Sequence, residues 1–185
     1  MFAFFKKKIV SNGEESASFN QEDEEYYAIL IINEVYQLQS EFYEWFKNEK
    51  ILNCDDSTIN KLELTLFSSS ILYYLYMRFG VQSYKDLILS KFVENIIEKT
   101  LPYSSKKISH EDAVEKYYVR LKEYSIDIDN MFATSVVGNP HVMLFATAYE
   151  NITESNPYVK LNRIASLARF LMEIFENKVK IIKKM

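Results

Sequence analysis

The chain has 185 residues, 48% of them hydrophobic and 15% aromatic, with a net charge of −4. That length suits one domain, and that much apolar material supports a buried core and excludes wholesale disorder. With only three glycines and three prolines, a fold of many tight turns is excluded, and so is a glycine-rich phosphate loop.

The acidic balance speaks against nucleic-acid binding, which draws its affinity from clustered cations. Only 4 of the 22 basic residues are Arg, the type suited to bidentate phosphate and guanine contacts. Cys54 is the single cysteine, so no intrachain disulfide can form, which suits a reducing, cytoplasmic setting. The longest nearly uncharged stretch, Leu64 to Met77, is shorter than the roughly 20 residues that span a bilayer.

Met1 to Lys8 places apolar residues before basic ones, the reverse of a secretory signal. Phe2, Phe4 and Phe5 could insert into an anionic bilayer surface while Lys6, Lys7 and Lys8 contact its charges, a peripheral contact at most. Residues 11–25 are polar and acidic and read as linker. The expected organisation is a mobile arm over 1–25 and a helical domain over 26–185.

Tyr27, Ile31, Val35, Leu38, Phe42 and Trp45 recur at steps of three and four, which predicts a helix fading near Asn48. Asn20 is its candidate N-cap, with Asp23 and Glu24 in the first turn. A second helix is expected from Asp56 or Ser57 to Gly80, with Gly80 as its C′ stop. Apolar residues on two of its faces predict a central, buried helix. Its serines at 68–70 would let a neighbour approach closely. A third helix is expected from Gln82 to Lys99, ended by Pro102.

Ser109 to Asp112 resembles a capping box and opens a fourth helix carrying Ala113, Tyr117, Leu121 and Tyr124. The alternation Ile126-Asp127-Ile128-Asp129 reads equally as a short strand or as more helix, so 126–137 stays open. Asn139-Pro140 predicts another helix start, running to about Asn151. Asn156-Pro157 begins the last, with Leu161, Ile164, Ala168, Leu171, Phe175 and Ile182 on its inner face. Lys178, Lys180, Lys183 and Lys184 favour the dipole at its end. The expectation is an all-α, single-domain bundle of about six helices, mostly antiparallel.

No catalytic pattern is complete. The only histidines, His110 and His141, lack the Glu-x-x-His spacing of di-iron bundles. Glu41 and Glu44 sit one turn apart, as hard-oxygen ligands for magnesium would, but the companion Glu-x-x-Asp of all-α nucleotide pyrophosphatases is missing. Asp55-Asp56 is not extended to Asp-Asp-x-x-Asp. Those two aspartates also disfavour a Cys54 thiolate.

Tyrosine is the unusual component, with 14 in the chain. Adjacent helical residues point about 100° apart, so one ring of each doublet can enter the core while the other lies near the surface. Tyr26, Tyr73, Tyr76, Tyr117 and Tyr118 are therefore candidate partner-contact residues. The functional expectation is a non-enzymatic helical module, of adaptor, regulatory or immunity type, that binds another protein or a second copy of itself. An acidic face would suit a basic partner. The alternatives are a metal-dependent hydrolase built on Glu41 and Glu44, or a bundle holding an apolar ligand. No cofactor is called for.

Overall fold

The computed structural model describes residues 21–48, 54, 58–80, 93–100, 108–132, 140–154 and 161–183. These form α1 (Gln21–Asn48), α2 (Lys61–Phe79), α3 (Val93–Thr100), α4 (His110–Phe132), α5 (Pro140–Thr153) and α6 (Leu161–Ile182). Among the described residues there is no strand, and the helices pack as one bundle, as the apolar periodicity predicts. The head at 1–8 and the rest of the expected arm up to residue 20 lie outside the described residues. Residues 21–25, assigned to that arm, belong to α1.

Helix α2 is the hub and packs against each of the other five helices. Every residue from Leu62 to Leu72 is buried. Its start is later than Asp56 or Ser57. Asn60 is the cap, its Oδ1 accepting the backbone N–H groups of Leu62 and Glu63 at 3.2 and 3.3 Å. The Asn60 N–H donates to the Ile152 carbonyl at 2.8 Å, so the cap also fastens α2 to the end of α5. The start is therefore set by a contact between distant parts of the chain.

The three buried serines donate their hydroxyls back to Leu64 and Leu66 carbonyls at 2.7–3.0 Å. That pairing satisfies them inside an apolar helix. Gly80 ends α2 as expected, but in an extended conformation (φ −76°) and not the left-handed one. Its need is space: an added Cβ would lie 2.5 Å from the Tyr76 carbonyl oxygen.

Helix α1 buries Ile31, Val35, Leu38, Phe42 and Phe46. Trp45 lies at the margin of that face and stacks on Phe170 of α6, 4.9 Å between centroids and 7° from parallel. Phe145 of α5 meets Trp45 edge-on at 4.9 Å and stacks on Phe46 at 5.8 Å. This aromatic seam joins α1, α5 and α6.

The Ser109 Oγ accepts the Asp112 N–H at 3.1 Å and donates to the Asp112 carboxylate at 2.6 Å, so the expected cap is present. Helix α4 then runs unbroken through Phe132, which settles 126–132 as helix; residues 133–137 lie outside the described residues. Ile126 is 63% exposed and Ile128 1%, because positions two apart on a helix face nearly opposite ways. Pro140 opens α5 as predicted. Glu154 follows its end with φ 54°, a left-handed residue that helps stop the helix. Lys178 does not simply decorate the end of α6. It is buried, with Nζ 3.8 Å from a Glu34 carboxylate oxygen of α1.

Candidate functional site

The tyrosine doublets of α2 and α4 meet at one edge of the bundle. Tyr117 is fully buried, and its neighbour Tyr118 is 55% exposed. Their rings meet edge-on at 5.7 Å. Tyr73 and Tyr74 are half-buried and meet edge-on at 5.5 Å. Burial raises the Tyr73 pKa, and Tyr74 and Tyr118 add to the effect. Burial raises that of Tyr117 strongly. The Ser69 hydroxyl opposes this, while Tyr73, Tyr118 and Tyr74 reinforce it. The four phenols thus lie within electrostatic reach of one another.

The Tyr117 hydroxyl is buried without a well-formed hydrogen bond. The Ser69 hydroxyl near it is committed to the Leu66 carbonyl at 3.0 Å. The small serine gives the Tyr117 ring room against α2, and that ring seats Tyr118 above it. Two of the expected contact residues lie inside the bundle. Tyr76 and Tyr117 are both buried, so neither ring reaches the surface. Tyr26 is exposed on α1.

Beneath α4 lies a polar network that motif spacing did not reveal. Glu63 is 2% exposed within apolar α2. Its two carboxylate oxygens accept Arg120 Nε and Nη2 at 2.8 and 3.0 Å. Lys116 Nζ lies 2.6 Å from the same carboxylate. Arg120 Nη1 donates to Glu123 at 2.7 Å. Asn151 of α5 donates to Glu123 at 3.3 Å and to the Tyr124 hydroxyl at 3.1 Å.

Burial alone would lower the Arg120 pKa. The hydrogen bonds and charge of Glu63 outweigh it, so the guanidinium stays charged. Burial also raises the Tyr124 pKa. One signal in the sequence pointed here: a carboxylate at position 63 inside Leu62-Glu63-Leu64 requires a buried counterion. The network ties α2, α4 and α5 together.

Glu41 and Glu44, the candidate magnesium ligands, both lie on α1. Each accepts an amide from its own helix, Gln37 and Asn48 respectively, both at 3.1 Å. Among the described residues no three His, Cys, Asp or Glu side chains come together closely enough to hold a metal ion. Cys54 is buried. No helix among the described residues is long and apolar enough to cross a membrane.

His110 and His141 stand at the first turns of different helices. Burial lowers the His141 pKa below its ordinary 6.5, so the folded chain favours the neutral ring. Above pH 6.5 the ring is neutral folded or unfolded and nothing is lost; as the pH falls below 6.5 the unfolded chain takes up the proton first, and stability falls until the lower folded pKa is passed. In urea unfolding between pH 7.5 and 5.5, the native chain should lose stability more steeply than His141→Gln. Equal slopes would show that His141 is not the group responsible.

Compared with family models, with curated proteins and with solved structures, the chain finds no match.

Proposed function

We propose that the chain is a helical protein-interaction module whose contact edge is formed by Tyr73, Tyr74 and Tyr118. The observation that carries this is the exposed Tyr118 ring seated on the fully buried Tyr117 ring. A ring anchored in this way brings large contact area and a polar tip at little cost in conformational freedom, which is why tyrosine is favoured where proteins meet.

Native mass spectrometry on the chain purified from its own cells tests the reading. The native chain should carry a protein partner. Tyr118→Ala should weaken that partner's binding by roughly 30-fold, the scale of a hot-spot tyrosine. Its melting temperature should fall by only a few degrees, since the lost edge contact is worth about 1 kcal/mol. Full retention of the partner by Tyr118→Ala would overturn the reading. If Tyr118→Ala fails to fold, Tyr74→Ala asks the same question.

A further inference from the structure

The charges around the tyrosine edge say what kind of partner it fits. Most cations of α2 and α4 are already engaged. Lys116 and Arg120 turn to Glu63, and Arg120 also reaches Glu123. Arg78 pairs with Asp129 at 3.4 Å and lies over the Phe132 ring. The first half of α4 keeps its carboxylates at the surface. Glu111, Asp112 and Glu115 are exposed, and Asp112 is occupied by the Ser109 hydroxyl.

Glu111, Glu115 and Tyr118 follow one another at helical spacing along one exposed stripe. Lys122 continues that stripe one turn further. Glu98 is exposed on α3, which packs against both α2 and α4. Lys116 and Arg120, two positions either side of Tyr118, face nearly the opposite way, toward Glu63, so among the described residues this stripe carries Glu111 and Glu115 before the Tyr118 ring and Lys122 after it.

We propose that the edge formed by Tyr73, Tyr74 and Tyr118, flanked by Glu111 and Glu115, docks an arginine- or lysine-rich segment of another protein. This rests on the interaction-module reading and names the chemistry of its partner. Ring faces attract guanidinium and ammonium groups. Nearby carboxylates steer such a segment in and hold its register. An acidic segment would be repelled by the same groups, and a purely apolar one would leave the carboxylates unanswered.

The test is an amide-shift NMR titration of the full chain with a nine-residue peptide alternating Gly and Arg. Parallel titrations use the Gly–Asp and Gly–Leu counterparts. The Arg peptide should move the amides of Tyr73, Tyr74, Glu115 and Tyr118, and the Asp peptide should move none of them. Tyr118→Ala should weaken the Arg peptide about three- to fivefold. Glu111→Gln with Glu115→Gln should weaken it about threefold or more, and added salt should do the same.

Shifts spread over other acidic surfaces, or no shifts at the edge, would overturn the proposal. Shifts at the edge with the Leu or Asp peptide and none with the Arg peptide would also overturn the basic occupant. In that case the edge itself would still stand as an interaction site.

Discussion

Glu63→Ala should lower stability by about 3 kcal/mol, the lower part of the range for stripping one partner from a buried ion pair. The lower part applies because Lys116 and Arg120 keep 30% and 20% of their side-chain surface in solvent. In a chain of this size the melting temperature should fall by roughly 6–12 °C. The loss comes from two cations left facing apolar α2, Lys116 without its Glu63 partner and Arg120 with Glu123 alone, and not from the strength of the original bonds. Replacing all three residues, Glu63→Met with Lys116→Met and Arg120→Met, should therefore recover most of it. Thermal unfolding of the single and triple variants checks both statements. A Glu63→Ala cost below about 1 kcal/mol would show that the network is loosely held.

Phe145→Ala should cost about 3–5 kcal/mol, as large-to-small changes of buried phenylalanine do. Phe145 is fully buried. It touches both aromatic residues that α1 sends into the seam, Trp45 and Phe46, and it stands beside Tyr149 at 6.4 Å. Those rings cannot all collapse into the space, because Trp45 is also stacked on Phe170. Phe145→Leu keeps much of the volume and should recover much of the loss. Urea unfolding of the two variants measures it. A Phe145→Ala chain within about 1 kcal/mol of the native one would mean the seam repacks freely.

The helices were legible where local chemistry and periodicity agreed. Pro140 and Ser109 open their helices because a ring-fixed φ and a hydroxyl acceptor act within one turn of the chain. The central position of α2 was legible because its sequence is apolar on more than one face. The start of α2 was not. Asn60 outcompetes the earlier Asp56 and Ser57 in a structure where its own N–H finds the Ile152 carbonyl, and no local pattern contains that contact.

The candidate edge was legible in part. A doublet on a helix must split inward and outward, and Tyr117 and Tyr118 do so. Which other tyrosines would look outward depended on the helices packed around α2, and these bury Tyr76. The alternation at Ile126 and Ile128 left strand and helix open for a related reason. Period-two spacing puts residues on opposite faces of a strand and nearly opposite faces of a helix alike.

Local spacing and composition alone were enough for an all-helical fold of the described residues, for the helix ends at Gly80, Ser109 and Pro140 and for a buried α2, since these follow from forces acting over a few residues. Tertiary structure alone decided which phenols reach solvent, that Lys116 and Arg120 turn inward to Glu63, and that Lys178 lies against α1. Burial and charge pairing are properties of neighbours, and the neighbours here come from segments as distant in sequence as Glu34 and Lys178.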